Sequence, residues 1–536
     1  MYAIIKLLVK KEVFIMAYFL NNINEVNQFS KTTKEKYFVD KSELIEKMNE
    51  LVGTASQYVC VTRPRRFGKT LNAMMLASYY SKNADFKELF DKLEISKSKT
   101  YLEHLNKHNV VYMTLNQLPE PGCTYEEFIN NYVDALLSDL KEAFINIEIK
   151  DAKPLSRVFD QVYNETKESF IFIFDEWDYI FNNNLFSESD RKAFLEFLRD
   201  LLKDKPYVEL AYMTGVLPIA KYSSGSALNM FLEFNMMNDH IYDKYFGFTN
   251  EEVENLSTKQ NKISMDSLKE WYNGYYTSNN LQIYNPRSVT TALRQGVCQS
   301  YWTNTGPMDE ISYYIENNVE EIQNDIVQMV SGIPVNIHLE GYSAEQINLN
   351  TRDEILSAMT VYGFLSYHDE TLTIPNKELR MKFDYSLKNH QMGAISKLVL
   401  KSNEMLEATL RKDTKTMEQL IQEAHDINIP IIKYNDENSL ACVVTLVYLS
   451  ARTKYTIVRE MEAGAGRADF IFYPNDKSKP AFILELKKNS TPDEALKQIK
   501  EKRYATVLKD YTGKKLAVGI SYDEKLKKHS VKIEDI

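Results

Sequence analysis

Residues 58–72 read Tyr-Val-Cys-Val-Thr-Arg-Pro-Arg-Arg-Phe-Gly-Lys-Thr-Leu-Asn. Tyr58 to Val61 is a short apolar run, Gly68-Lys69-Thr70 ends the turn behind it, and Leu71 to Tyr80 carries a helical pattern. Strand, loop and helix in that order predict a phosphate-binding loop. The helix amino terminus offers free N–H groups and the positive end of its dipole. Gly68 lets a phosphate approach the backbone, Lys69 can reach β- and γ-phosphates, and Thr70 can place its hydroxyl on Mg²⁺. One position departs from the usual G-x-x-x-x-G-K-[ST] spacing: Arg63 stands where the first glycine is expected.

A charged loop before an ordinary helix would show the same letters, so a second element decides. Phe170-Ile171-Phe172-Ile173-Phe174-Asp175-Glu176 runs five apolar residues without alternation, the pattern of a strand covered on both faces. Two carboxylates stand at its carboxyl end, where ligands collect in doubly wound sheets. Asp175 would hold Mg²⁺ through water, and Glu176 would polarise the attacking water. Further strands are expected at Val110 to Leu115 and Val208 to Gly215, with helices at Tyr125 to Phe144 and Ser189 to Leu202. The alternation predicts an α/β fold with a parallel sheet covered on both faces. Thr214 ends the last of these strands, placed to sense a γ-phosphate or to satisfy local backbone.

A second constellation lies near the carboxyl end. Residues 433–536 read helix, strand, strand, strand, helix, strand: a helix near Glu437 to Ala451, strands at Tyr455 to Met461, Arg467 to Tyr473 and Ala481 to Lys487, a helix at Glu494 to Leu508, and a strand at Leu516 to Ser521. Gly464-Ala465-Gly466 is read as a turn between the first two strands. Glu485 and Lys487 are two apart and share a strand face, which Asp469 on the neighbouring strand can join. Two carboxylates can hold a divalent cation that stabilises a phosphodiester oxyanion, with the lysine orienting or deprotonating water. A salt bridge between strands would use the same residues.

Read together, these segments resemble the AAA-ATPase-like family that carries a carboxy-terminal PD-(D/E)XK nuclease-like domain. The resemblance rests on Tyr37-Phe38-Val39-Asp40-Lys41-Ser42, the loop Thr62-Arg63-Pro64-Arg65-Arg66-Phe67-Gly68-Lys69-Thr70, and Phe174-Asp175-Glu176-Trp177-Asp178. Thr214-Gly215-Val216, Phe246-Gly247-Phe248-Thr249, Trp271-Tyr272-Asn273-Gly274-Tyr275, Tyr284-Asn285-Pro286 and Ile374-Pro375-Asn376 follow in order, over roughly residues 35 to 510. That family writes its loop with arginine in the glycine position. The resemblance implies a nucleotide-binding set of Arg63, Arg65, Arg66, Gly68, Lys69, Thr70, Asp175 and Thr214, with Thr70 and Asp175 on Mg²⁺ and Glu176 catalytic. Tyr37 and Phe38 are read as core residues before adenine contacts. At the carboxyl end it implies a restriction-endonuclease-like fold, with Asp469 and Glu485 on metal and Asp469, Glu485 and Lys487 in catalysis. Gln498 and Tyr504 match the Q-x-x-x-x-x-Y helix of many such domains, and Glu437 could add an outer carboxylate.

Composition agrees with a protein of several domains. At 536 residues the chain should hold two to four. Hydrophobic content of 44% and charged content of 26% are ordinary for a globular protein. Cys60, Cys123, Cys298 and Cys442 are scattered and form no disulfide framework, which suits a reducing, intracellular compartment. His104 and His108 are four apart and read as surface residues. No apolar run reaches the roughly 20 residues that span a bilayer. Net charge is −10, yet residues 433–536 carry 20 basic and 15 acidic residues, which leaves −15 on the rest. The basic end could meet nucleic acid locally.

The expected organisation is a tail over 1–35, polar and loosely ordered from residue 16, a P-loop domain over 36–250, a mostly helical lid and connecting region over 251–432, and the nuclease-like domain over 433–536. Met16 could be the true start. Gly363 to Pro375 reads as two strands across a turn, the wing of a small winged-helix-like unit. Arg287 and Arg294 could serve as transition-state arginines, but so could any surface arginine, and neither is assigned that role. The leading expectation is an ATP-binding, ATP-hydrolysing protein using Mg²⁺, coupled to a metal-dependent nuclease-like domain acting on DNA or other nucleic acid. The alternative is a nucleotide-gated binding module with an inactive nuclease-like domain. Membrane association is not expected, and nothing requires an oligomeric ring.

Overall fold

The computed structural model describes residues 17–536 apart from 83–85, 150–153, 220–226, 303–314, 316–321, 338–348, 350, 389–392, 427–436 and 464–465. The expected leader and the Gly464-Ala465 turn lie outside the described residues. The chain divides into two compact units. The first runs to Tyr301 and includes Thr360–Gly363; the second includes Trp302–Leu339, Asn350–Met359 and Phe364–Ile536.

In the first unit, β1 (Tyr58–Thr62), β2 (Asn109–Thr114), β3 (Phe170–Asp175), β4 (Val208–Gly215) and β5 (Leu232–Phe234) form one sheet in the order β2-β3-β4-β1-β5. Every neighbouring pair is parallel. The apolar letters of β3 are explained by cover on both faces: Phe170 through Phe174 are all 0% exposed. Ile171 and Ile173 pack with Leu76, Tyr79 and Tyr80 of α3 (Lys69–Tyr80), the helix behind the loop. On the other face Phe159 of α5 (Leu155–Thr166) meets Phe170 and Phe172 edge to face. β4 lies between β1 and β3, which brings Thr214 into register with Val61 on one side and Asp175 on the other.

Residues 17–35 are not the loose tail expected from their polarity. The backbone N–H groups of Tyr18, Phe19 and Leu20 all donate to the Asp139 carboxylate on α4 (Tyr125–Ala143). Helix α1 (Ile23–Thr32) then seats Phe29, 1% exposed, against Phe90. One buried aromatic and one acceptor for three donors outweigh a polar surface.

Beyond β5 the first unit continues with β6 (Phe248–Thr249), α7 (Asn250–Ser257), α8 (Met265–Tyr272), β7 (Tyr275–Tyr276), β8 (Gln282–Tyr284) and α9 (Pro286–Gln295). Their core gathers Tyr37, Phe248, Leu268, Tyr284 and Val289. Tyr37 also donates to Leu293 O at 3.2 Å.

In the second unit, α10 (Ile322–Val330), β9 (Val335–Asn336), α11 (Arg352–Val361), β10 (Ser366–His368) and β11 (Thr371–Thr373) precede α12 (Lys377–Ser386). The strands pair antiparallel in the order β10-β11-β9, so the two strands expected across a turn within Gly363 to Pro375 do pair, with β9 added to them. α11 is buried from Ile355 onward. Helices α13 (Gly393–Leu400), α14 (Ser402–Arg411), α15 (Thr414–Asp426) and α16 (Glu437–Val447) lead into β12 (Tyr455–Ala463), β13 (Gly466–Pro474), β14 (Ala481–Lys488), α17 (Pro492–Glu501), β15 (Lys515–Asp523) and β16 (Lys528–Asp535). The sheet runs in sequence order, with β14 and β15 parallel and the other pairs antiparallel. Two features depart most from the sequence expectation. β16 was not foreseen, because its lysines and acids alternate with few apolar residues. α17 ends at Glu501 because Arg503 takes a left-handed φ of 55°, so Tyr504 sits on a following 3₁₀ turn.

Candidate active sites

The loop between β1 and α3 is shaped by two left-handed positions, Arg66 (φ 70°) and Gly68 (φ 92°). At Gly68 a side chain would be strained, and no atom of the described residues lies within 4 Å of where its Cβ would sit. Gly68, Lys69 and Thr70, at the start of α3, all border open space. Lys69 Nζ folds back onto the loop, donating to Arg63 O at 2.8 Å and Pro64 O at 2.9 Å. Burial lowers its pKa to about 8, against the opposing pull of Asp178, Asp175 and Glu176. These are bonds a phosphate can replace.

Asp175 is 0% exposed. Its Oδ1 accepts from Glu176 N at 3.1 Å, and among the described residues its Oδ2 has no hydrogen-bond partner. Burial pushes this carboxyl up to about 6; the Thr70 hydroxyl acts against that shift and the Glu176 charge adds to it. A buried carboxylate oxygen without a donor, next to a hydroxyl at a helix amino terminus, is a hard-oxygen set that fits Mg²⁺. Glu176 follows at a left-handed φ of 53° and is held through Oε2 by Asn116 Nδ2.

Two contributors were missed in the sequence. Asn116 lies just past β2, whose Thr114 is in register with Asp175; a polar residue at the carboxyl end of the neighbouring strand was the available signal. Asp178 was quoted within a motif but given no role. Its Oδ2 accepts from Val216 N (3.1 Å), Leu217 N (2.9 Å) and Asn182 Nδ2 (3.2 Å), which ties the exits of β3 and β4 together. Gly215 is required there, since a Cβ would collide with the side chains of Asp178 and Trp177.

These groups open on a cleft of about 1050 Å³. Arg65, Arg66, Gly68, Lys69, Thr70, Asn116 and Glu176 line it, with Tyr37, Phe38 and Lys41 at one wall and Arg287 and Arg294 of α9 at another. Lys41 is locked to both carboxylate oxygens of Glu252 (2.6 and 2.7 Å). Arg66 donates to Tyr301 O at 2.7 Å. The two arginines that sequence could not separate differ in surroundings: Arg294 pairs with Glu35 at 2.7 Å, whereas Arg287 makes no ion pair among the described residues.

Two expected contacts are placed elsewhere. The Arg63 guanidinium is fully buried away from the cleft and ion-paired with Asp239. Thr214 is also 0% exposed, and its hydroxyl donates to Val61 O at 2.8 Å. A sheet interior can absorb a strand-end threonine through backbone, and here it does. The histidine pair is half-buried: His104 Nδ1 and His108 Nε2 are 3.0 Å apart, and His108 Nδ1 meets Glu209 at 2.8 Å.

The second constellation assembles across β13, β14 and α17. Leu486 N donates to Asp469 Oδ2 at 2.7 Å, and Asp469 N to Glu485 Oε2 at 3.4 Å. Lys487 Nζ reaches Glu485 Oε1 at 3.3 Å. Gln498 Nε2 donates to the same Glu485 oxygen and to Tyr504 Oη at 3.1 Å. Glu485 is 1% exposed; burial first, and the Asp469 charge second, push its carboxyl up to about 7. Two adjacent carboxylates, one inclined to keep its proton, suit a divalent cation that can displace that proton. No group of three or more His, Cys, Asp and Glu able to hold a metal occurs among the described residues. The expected outer carboxylate, Glu437, opens α16, and its side chain lies outside the described ones.

The first unit thus holds a P-loop site at the carboxyl edge of a parallel sheet, and the second a D…E-x-K site on a mixed sheet. Two family models agree with that division. The one described as "Predicted AAA-ATPase" matches residues 25–224, and the one for the PD-(D/E)XK nuclease superfamily matches residues 435–531. The chain is an AAA-ATPase-like protein with a carboxy-terminal PD-(D/E)XK nuclease-like domain. Among solved structures, the Walker-type ATPase paby2304 of Pyrococcus abyssi aligns at 12% identity over 64% of this chain and 94% of its own, with a TM-score of 0.33. The Aeropyrum pernix ORC2 protein in its ADPNP–ADP complexes aligns at 11% over 65% and 91%, TM-score 0.29. The Aeropyrum pernix ORC1 protein in complex with DNA aligns at 11% over 66% and 93%, TM-score 0.24. These superpositions are loose, and the fold stands on the strand orders and registers above. No curated protein matches the chain. No helix among the described residues is long and apolar enough to cross a membrane.

Proposed function

We propose that the first unit binds and hydrolyses ATP with Mg²⁺, and that the nuclease-like domain cleaves nucleic acid under control of that cycle. The observation that carries the ATP reading is the buried, unpartnered Asp175 Oδ2 beside Thr70 and Lys69. Thr70 and, through water, Asp175 would hold Mg²⁺, which when bound neutralises charge on the transferring phosphoryl group. Lys69 exchanges the Arg63 and Pro64 carbonyls for phosphate oxygens. The amino-terminal N–H groups of α3 bind the remaining oxygens. Asn116 holds Glu176 until a water needs orienting, and Glu176 then accepts its proton. Arg287, exposed at the cleft and without an ion pair among the described residues, is a cation placed to meet developing charge.

For the nuclease-like domain, Asp469 and Glu485 would hold a divalent cation that stabilises a phosphodiester oxyanion, and Lys487 orients the water. Nucleic acid is assigned to this domain and not to the winged-helix-like unit expected around β10 and β11, because α11, the helix before those strands, is buried along most of its length. Coupling has a covalent route. Thr360–Gly363, the end of α11 and the residues after it, are counted with the first unit, where Tyr362 Oη donates to Asn182 and Tyr275 Oη to Gly363 O. Asn182 in turn contacts Asp178.

The alternative, a nucleotide-gated module with a silent nuclease-like domain, is favoured by one detail: Gln498 and Lys487 already occupy Glu485 Oε1. Phosphate release from ATP with Mg²⁺, with and without DNA, for native protein, Lys69→Ala and Glu485→Ala, tests both. Turnover lost in Lys69→Ala supports the ATPase. Cleavage of DNA by native protein but not by Glu485→Ala supports the nuclease. Nucleotide binding without turnover or cleavage leaves the gated module.

A further inference from the structure

Arg63 occupies the position where a phosphate loop ordinarily has glycine, and its side chain does not face the cleft. Its guanidinium is fully buried. Nη2 pairs with Asp239 Oδ2, while Nη1 donates to Thr62 O at 2.8 Å and Phe234 O at 3.0 Å. The group lies 5.0 Å over the Phe246 ring. Asp239 is itself 0% exposed, and its Oδ1 accepts from Ile241 N (2.8 Å) and Tyr242 N (2.7 Å). The backbone of the same arginine stays in the site: its N donates to Gly215 O at 3.1 Å, and its carbonyl accepts from Lys69 Nζ at 2.8 Å. The segment that holds Asp239 also grips the loop, through Gly247 N to Phe67 O (3.0 Å), and the helix behind it, through Asn72 Nδ2 to Tyr245 O (3.0 Å).

A buried ion pair is weak grounds for a stability role, since apolar residues of similar size often replace one at no cost. What the pair does supply is geometry. We propose that Arg63 and Asp239 are positioning residues for nucleotide binding: the buried pair fixes the Arg63 and Pro64 carbonyls that hold Lys69, so the loop is set before the phosphates arrive. Glycine in that position would leave the loop to be ordered by the ligand, at a cost in affinity. The inference rests on the ATP reading above.

The test is Arg63→Met/Asp239→Asn, which removes both buried charges at once, nearly keeps the volume and leaves an amide oxygen for the Ile241 and Tyr242 N–H groups. The full-length protein is titrated with a fluorescent ADP analogue, and its thermal midpoint is measured without nucleotide. The expected result is a midpoint at or above the native one and binding weakened about tenfold. In addition, Lys69→Ala should weaken binding far less in this background than in the native one, because Lys69 is already misplaced. Native affinity in the double variant overturns the proposal, whether the midpoint holds or falls. If the double variant does not fold, Arg63→Lys decides. It keeps a charge on Asp239 and loses the bonds to Thr62 and Phe234, so weakened binding supports the proposal and native affinity overturns it. Failure of the native protein to bind the analogue overturns the ATP reading itself, before any substitution is compared.

Discussion

At the scale of single residues, the two sites share a device: a carboxylate buried deeply enough to resist its charge. Asp175 and Glu485 are both pushed up by burial, to about 6 and about 7. For Glu485 the native pKa exceeds the ordinary value of 4.5, so the native state holds the proton more tightly than the unfolded one. Its contribution to stability is complete below about pH 4.5 and is lost as pH rises toward about 7. Metal-free protein should therefore unfold more easily at pH 7.5 than at pH 5.5, and Mg²⁺ or Mn²⁺ should restore stability chiefly at the higher pH. Thermal melts at both values check this; an equal metal effect at both would rule out ligation by Glu485. In the first unit, Glu176→Gln keeps the shape that Asn116 binds and removes the base. Nucleotide affinity should stay within a few-fold of native while turnover falls by about 10²–10⁴. Equilibrium titration beside a phosphate-release assay separates the two quantities.

At the scale of elements, the P-loop site depends on the exits of β3 and β4 being sewn together by Asp178. Gly215 is part of that seam, because the Asp178 and Trp177 side chains lie where its Cβ would be. Gly215→Ala should cost about 1–3 kcal/mol, the usual range for forcing an atom into a packed interior. It should also weaken nucleotide binding by moving Asp178 away from Lys69. Denaturant unfolding with and without nucleotide would show both effects; an unchanged midpoint would mean that the seam yields freely. The apolar letters of β3 made its burial readable in advance, since only a doubly covered strand tolerates Phe170 through Phe174. The burial of α11 was not readable. Its sequence, Arg352 to Val361, mixes charge and apolar residues as a surface helix would. Only the packing around Ile355, Leu356, Ala358 and Met359 shows that it has no free face.

At the scale of the whole molecule, the compact unit is larger than the domain that composition marks. The basic stretch beginning at residue 433 coincides with the nuclease-superfamily match over residues 435–531, yet the compact unit that holds it starts at Trp302. α16 explains why: Leu440 through Val447 are buried all round, so the helix needs cover from more than the sheet it precedes. Thr409 meets Tyr448 at 2.6 Å, and Arg452 reaches Asp384 at 2.6 Å and Val330 O at 2.7 Å. A fragment of residues 302–536 should unfold cooperatively. One of residues 433–536 should melt at a markedly lower temperature or aggregate, since the outer face of α16 would be bare. Circular dichroism melts of the two fragments distinguish the cases.

The sequence by itself determined the P-loop, the acidic strand behind it and the D…E-x-K set, because each needs particular residue types at short, regular spacing. Gly68, Lys69 and Thr70 announce a helix terminus open to phosphate, and five unbroken apolar residues announce the strand that carries Asp175. The tertiary structure alone decided where long side chains go. Arg63 and Arg66 are three letters apart in one loop, and nothing local tells that the first turns inward to Asp239 while the second reaches Tyr301. Asn116, Asp178 and Asp239 lie outside the loop in sequence and reach the site only when β2, β3, β4 and the segment after β5 are laid side by side. Spacing along the chain encodes periodic contacts; the partner of a buried charge is set by which strands become neighbours.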